Sequence, residues 1–307
     1  MQTLILFATV VSAAAQTYAV PLWRRTMEHT AWTNVSDHRA LLISHGGDPD
    51  YVTRPYDSLA SFQKATAEGT DCVKGDIRLA SDGVAVVMHS SPVELYESLN
   101  CAGKHVENMT SEECTKCTMV PTLDQHFITV PEFLAWSNEK VIAMLCVKEP
   151  KNVRESIDAL VQANATHRAF LEIHVNDLIE YVQDAMPVIP PSVRFLAEVG
   201  SLEEYEKLVN VTLGALHPAL RARIWAAELD KGYEKWIPGG NVTVAIARDL
   251  HPLGIKTLTP TSSEVLPSEA SQRKIYDKGF DAVYTYGTTA GVKARTAADK
   301  ARGVSPP

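Results

Sequence analysis

The sequence lacks a basic excess: 29 Lys and Arg stand against 37 Asp and Glu, for a formal net charge of -8. A nucleic-acid-binding face needs the opposite sign, so that class of partner is excluded. It also lacks an apolar run of membrane-spanning length. The stretch 4–11 at the N-terminus falls far short of the ~20 residues a span requires. No internal repeat, low-complexity tract or clear linker interrupts the chain. What is there is an ordinary globular composition, 45% hydrophobic and 21% charged over 307 residues. Disordered, collagen-like and coiled-coil classes fall away, and the length allows one large domain.

Cysteine is scarce, with five residues at Cys72, Cys101, Cys114, Cys117 and Cys146. Cys114-Thr-Lys-Cys117 has no second paired-cysteine motif, which leaves zinc without its remaining ligands. Cys101, Cys114 and Cys117 read as a loop staple with one disulfide among them, and the odd total leaves one thiol free or engaged elsewhere. The stretch 4–11 followed by Ala13-Ala14-Ala15 resembles a secretory signal peptide, although no basic residue precedes it. Five Asn-x-Ser/Thr sequons begin at Asn34, Asn108, Asn164, Asn210 and Asn241. The expectation is a secreted, glycosylated monomer with a leader at 1–15 and a single domain at 16–307.

Short apolar runs at 40–44, 72–79, 84–89, 141–147, 169–173, 193–198, 223–227, 257–259 and 282–285 alternate with helix-period stretches. Those stretches lie at 58–68, 130–137, 153–164, 177–185, 202–208 and 268–278. The alternation predicts an α/β fold, and about eight such strands fit a (β/α)8 TIM-type barrel, whose strand ends carry the chemistry. Asp57 and Ser58 can cap the first helix, and Gly69 ends it. The segment at about 90–123 lacks periodicity, holds three cysteines and one sequon, and reads as an ordered insertion over one end of the barrel.

Asp82-Gly83 between alternating apolar residues signals a two-residue hairpin turn. That turn makes Asp76 and His89 directly opposed, with Lys74 and Ser91 next on the same face, so that a carboxylate, an imidazole and an ammonium meet. His45 ends another apolar run and precedes Gly46-Gly47, a turn where backbone can approach a ligand closely. Two histidines at strand ends suit acid–base catalysis, one taking a proton from the nucleophile and one giving a proton to the leaving group. Trp225 and Tyr284 are candidates to line the mouth for an apolar substrate group. Glu172 and Glu198 lie on expected strands, where a structural or surface role is the simpler reading.

The segments His45-Gly46-Gly47, Ser58-Leu59-Ala60-Ser61-Phe62 with Ala65 and Gly69, Asp76, Ser81-Asp82-Gly83 and Val86-Val87-Met88-His89 also carry a resemblance. Together they resemble the glycerophosphodiester phosphodiesterase family, barrel enzymes related to phosphatidylinositol phospholipase C. Val147-Lys148 resembles the family strand with a phosphate-side lysine. Arg223-Ile224-Trp225 and the run from Gly279 to Thr285 resemble late barrel strands. The resemblance implies phosphodiester cleavage with His45 and His89 as the catalytic pair, Lys148 at the phosphate, and magnesium or calcium held by carboxylates.

The departures fall on the metal ligands. The family's Glu-Asn-Thr reads Tyr56-Asp57-Ser58, its Glu-x-Asp reads Lys74-Gly75-Asp76, the glutamate before the lysine aligns with Cys146, and His-Asp reads His89-Ser90. Asp76 alone survives among the ligands, whereas a hard dication wants several oxygens. No cofactor is therefore expected. The Lys74 ammonium can take the metal's place, pairing with Asp76 and meeting a phosphate oxygen, as a cationic side chain does in related bacterial phosphatidylinositol phospholipases C. Lys74 and Asp76 can equally form a plain salt bridge in a dead site. The expected function is a secreted phosphodiesterase acting on a glycerophosphodiester or lysophospholipid-like substrate, by hydrolysis or cyclising cleavage. Two alternatives stand beside it: a degenerate barrel serving as a binding or host-interaction module, and a barrel recruited to non-phosphate proton transfer.

Overall fold

The computed structural model describes residues 26–182, 188–210, 218–230, 232–261 and 267–304; the expected leader at 1–15 lies outside them. Within these residues the apolar runs form β1 (Leu41–His45), β2 (Cys72–Leu79), β3 (Ala85–Val87), β4 (Ile142–Val147), β5 (Ala169–His174), β6 (Phe195–Val199), β7 (Ile224–Leu229), β8 (Lys256–Pro260) and β9 (Ala282–Thr285). All but β3 run parallel, and β1 pairs with both β2 and β9, which closes eight strands into the expected barrel. Such strands are buried on both faces, which is why they read as nearly continuous apolar runs.

The outer layer contains α1 (Leu59–Glu68), α2 (Val130–Ser137), α3 (Val153–Gln162), α4 (Leu202–Val209), α5 (Glu269–Asp277) and α6 (Thr288–Ala301). Ser58 caps α1 by accepting the Ser61 N–H at 3.1 Å, and Gly69 ends it at a φ of 99°. Asp57 takes no part in that cap; it accepts the Asp76 backbone N–H instead. The described part of the expected helix at 177–185 is a helical turn, Val175–Asp177, running into a wider turn at Leu178–Val182, and 183–185 lie outside the described residues. No expected element covered α6. Its buried face combines the small Gly291, Ala294 and Ala298 with the polar Thr288, Arg295 and Asp299, which leaves no apolar stripe, and a Cβ on Gly291 would lie 2.7 Å from Leu42.

The hairpin differs from its expected register. Ile77 faces Val87 and Leu79 faces Ala85, so Asp82-Gly83 belongs to a three-residue loop of Ser81, Asp82 and Gly83. One extra loop residue slips the pairing by one, and Met88, not His89, donates its N–H to the Asp76 carbonyl. His89 reaches Asp76 only because β3 stops at Val87 and the chain bends. The insertion after β3 has a core of its own, in which Val93, Val106, Met109, Met119 and Phe127 pack on Val86 and Met88. Cys101–Cys117 staples it, with Cys114 buried and unbridged.

Two layers fill the barrel. Leu41, Ile43, Cys72, Met144, Phe170, Leu196 and Trp225 form the lower one, with Trp32 from the N-terminal segment as its plug. Trp225 packs edge-on to Trp32 at 5.4 Å and to Phe170 at 4.8 Å. The expected place of Trp225 at the mouth is therefore corrected: it sits near the start of β7, below the chemistry.

Candidate active site

Inward-facing positions repeat every second residue along a strand, and at the C-terminal strand ends they change from apolar to ionisable. Ile43 gives way to His45, Cys72 to Lys74 and Asp76, Met144 to Cys146 and Lys148, Phe170 to Glu172, Leu196 to Glu198, and Ala226 to Glu228. These side chains line a cavity of about 350 Å³, closed laterally by Tyr51, Tyr56, His89, Tyr96, Tyr284 and Tyr286. All of the sequence-predicted site residues except Trp225 and Asp76 line it directly; Asp76 lies fully buried beneath.

Asp76 is the hub. Its Oδ1 lies 3.0 Å from Lys74 Nζ and 2.9 Å from Lys148 Nζ. Its Oδ2 accepts the Tyr56 hydroxyl at 2.6 Å and stands 3.9 Å from His89 Nε2. Lys74 also contacts Glu172 at 3.4 Å and His45 Nε2 at 3.1 Å. An ammonium can only donate, so His45 Nε2 is the acceptor and the ring proton resides on Nδ1. The three N–H bonds of Lys74 thus match Asp76, Glu172 and His45. With those donors engaged and its side chain 4% exposed, Lys74 acts on the cavity by its charge, and Lys148, 24% exposed, is the more accessible cation.

The Gly46-Gly47 turn serves Tyr56, not a ligand. Both glycines have positive φ, and a Cβ on Gly46 would fall 2.1 Å from the Tyr56 ring. This lets Tyr56 pass beneath the turn and reach Asp76. His45 stacks on Tyr284 and Tyr286 at 4.2 and 4.5 Å between ring centres.

Burial and the neighbouring Lys74 charge hold His45 well below the usual histidine pKa, so it is neutral at pH 7. Burial lowers His89 too, against the pull of Asp76. Burial opposes the charges of Lys74 and Asp76, but the summed neighbouring charges outweigh it, Asp76 with Glu172 and other acidic groups leaving Lys74 raised, and Lys74 with Lys148 leaving Asp76 depressed. Burial and Asp76 raise the Asp57 carboxyl well above its usual range. Burial and then Glu172 do the same for Glu228, which shares a hydrogen bond with Glu172. At neutral pH the two ammonium groups therefore face Asp76 and Glu172, with Glu198 and Asp230 on the same cavity wall.

That charge pattern does not fit a hard divalent cation. The positions matching three of the family's acidic ligands carry Tyr56, Lys74 and Cys146, and an ammonium already sits between Asp76 and Glu172. Burial and the nearby Glu172 keep the Cys146 thiol protonated.

Sequence reasoning underrated Glu172 and Glu198 and passed over Glu228, Tyr56 and Tyr286. The two-residue period counted from an inward-facing neighbour would have exposed the glutamates. Tyr56 was visible only as a departure at a family ligand position; its bond to Asp76 had no signal, because only the folded turn brings the two together. Glu198, 3.2 Å from His174, has its pKa raised to about 7 by burial and then by Glu172. Its unfolded value is lower, so stability falls as pH rises from ~4.3 to about 7. Glu198→Gln is expected to stabilise the protein by about 1–3 kcal/mol at pH 8 and to leave it unchanged at pH 4. Denaturant titrations at the two pH values check this; an equal effect at both would refute it.

The family model for the glycerophosphoryl diester phosphodiesterase family matches residues 45–215. A glycerophosphodiester phosphodiesterase of Caldanaerobacter subterraneus subsp. tengcongensis is 24% identical over 192 residues, covering 59% of this chain and 76% of that protein. Among solved structures, a glycerophosphoryl diester phosphodiesterase from Parabacteroides distasonis superimposes with a TM-score of 0.68 at 18% identity, over 87% of this chain and 90% of that one. An Oleispira antarctica phosphodiesterase in complex with the product sn-glycerol-3-phosphate does so with a TM-score of 0.62 at 16% identity, over 86% and 98% of the two chains.

Proposed function

Because the chain belongs to the glycerophosphoryl diester phosphodiesterase family, we propose that it cleaves a phosphodiester with His45 and His89 and without the family's usual divalent cation. The observation that carries this is the Asp76 hub, which ties both lysines and His89 to one carboxylate beneath an open cavity. A diester carries one negative charge on its non-bridging oxygens. Lys148 has one carboxylate partner among the described residues, which leaves N–H donors for such an oxygen. Lys74 adds a fixed positive charge from below, the electrostatic part that a cation would otherwise supply.

His89, half-buried and with Nδ1 engaged by Ser90 and Tyr96, presents Nε2 as the base. It takes the proton from attacking water, or from a substrate hydroxyl when the product is cyclic, and Asp76 stabilises the imidazolium formed. The new P–O bond forms as the P–O bond to the leaving group breaks. His45 Nδ1–H gives the leaving oxygen its proton while the Lys74 ammonium passes one to Nε2, so that the ring stays neutral, and the proton taken up by His89 makes good the one Lys74 gave when the site returns to its resting state. The leader-like N-terminus, five sequons and one disulfide support secretion as a glycoprotein; Asn34, Asn108, Asn164 and Asn241 are exposed and Asn210 is half-buried.

The test is turnover of water-soluble glycerophosphodiesters with and without chelator, with products followed by phosphorus NMR. Chelator-resistant turnover is expected. Turnover abolished by chelator and restored by magnesium or calcium would overturn the metal-free reading. No turnover by protein of verified fold would favour the binding module.

A further inference from the structure

Large apolar side chains are exposed unevenly on this barrel. Tyr51, Val52, Leu95, Tyr96, Leu99 and Leu123 are six of the eleven exposed large hydrophobics among the described residues, and all lie in the loops after β1 and β3. Val52, Leu95 and Leu99 are 71%, 69% and 59% exposed, so each buries little against the rest of this chain. Val120 N–H bonds to the Glu97 carbonyl, which draws the strand of chain leading to Leu123 alongside the Leu95–Leu99 turn.

Tyr51 and Tyr96 belong both to this rim and to the wall of the catalytic cavity, and the Tyr96 hydroxyl lies 3.2 Å from His89 Nδ1. The apolar rim therefore runs continuously into the site.

Resting on the phosphodiesterase reading, we propose that this rim seats the protein on an electrically neutral lipid surface. Its substrate is then an amphiphilic phosphodiester whose headgroup enters between Tyr51 and Tyr96 while its chains stay in the lipid. Three features choose this occupant. Leucine and valine side chains with tyrosines at the polar boundary match the lipid interface. Of the charged groups beside the rim, Arg54 pairs with Asp48 and Asp50 and His105 with Glu107, while Glu94 beside Leu95 and Asp124 beside Leu123 are exposed and acidic. The net charge of -8 disfavours an anionic surface. No helix among the described residues is long and apolar enough to cross a membrane, so this face would make the attachment by lying on the surface.

The test uses the whole protein and a Val52→Ser/Leu95→Ser/Leu99→Ser variant, none of whose positions lines the cavity. Co-sedimentation with phosphatidylcholine vesicles is expected for the unaltered protein and reduced about tenfold or more in the variant. Phosphatidylserine added to the vesicles should weaken binding. Turnover of a water-soluble diester should be unchanged, while turnover of a vesicle-borne diester falls in step with binding. Unaltered protein that stays in the supernatant, or a variant that binds equally well, overturns the proposal. So does sedimentation velocity showing a dimer that the variant loses, which would assign the face to a second copy. A binding difference without diester turnover would uphold the docking surface and refute the phosphodiesterase reading alone.

Discussion

Lys74→Met is expected to destabilise the protein by about 3–5 kcal/mol, the usual cost of removing one partner from a buried ion pair. The side chain is 4% exposed and its ammonium lies within 3.4 Å of both Asp76 and Glu172. Methionine fills much of the volume but leaves the two carboxylates with Lys148 as their single ammonium neighbour at Asp76. The loss should be greatest at neutral pH. Asp76 has a depressed folded pKa, so its contribution is present above the unfolded value of ~3.9 and fades as pH falls through the lower folded value. Adding Glu172→Gln should recover part of the loss by removing one orphaned charge, which a double-mutant cycle measures. The His45 titration followed by NMR should move upward, because the Lys74 charge is one of the causes that depress it. An unchanged denaturation midpoint and an unchanged His45 titration would reject the positioning role of Lys74.

His89→Ala is expected to lower kcat by ~10²–10⁴ while leaving the thermal midpoint nearly unchanged, because its side chain is 41% exposed and truncates into solvent. In the unaltered protein, activity should persist somewhat below pH 6.5 and fall as pH drops further: His89 must be neutral to accept a proton, and burial has lowered its pKa. His89→Ala should abolish that acid limb along with most of the rate. Full activity in the variant would remove His89 from the mechanism and make Glu198, on the same cavity wall, the next candidate base. Tyr56→Phe would complement this by removing one hydrogen bond to Asp76, without touching the imidazole.

The strand pattern of the barrel was legible because period and burial agree: the run at 72–79 and that at 282–285 have the observed ends of β2 and β9. α6 was not legible, because glycine and alanine packing leaves no hydrophobic stripe. His45, Asp76, His89 and Lys148 were legible through strand-end placement and family resemblance. His89 was placed near Asp76 through a register that is one residue wrong; the bend after Val87 restores the proximity that the slip would have lost.

By itself, then, the sequence determined the fold class, the insertion with its staple, and the ionisable residue types at the strand ends, since these follow from periodicity, composition and local spacing. The tertiary structure alone decided which of those groups share a charge. Lys74 is saturated by Asp76, Glu172 and His45 because β1, β2 and β5 turn these side chains into one barrel interior, and Trp225 lies below because its strand starts there. Tyr56 reaches Asp76 because a Gly-Gly turn clears its path. Coulomb interactions and burial depend on distances between residues far apart in the chain, and those distances exist only once the barrel closes.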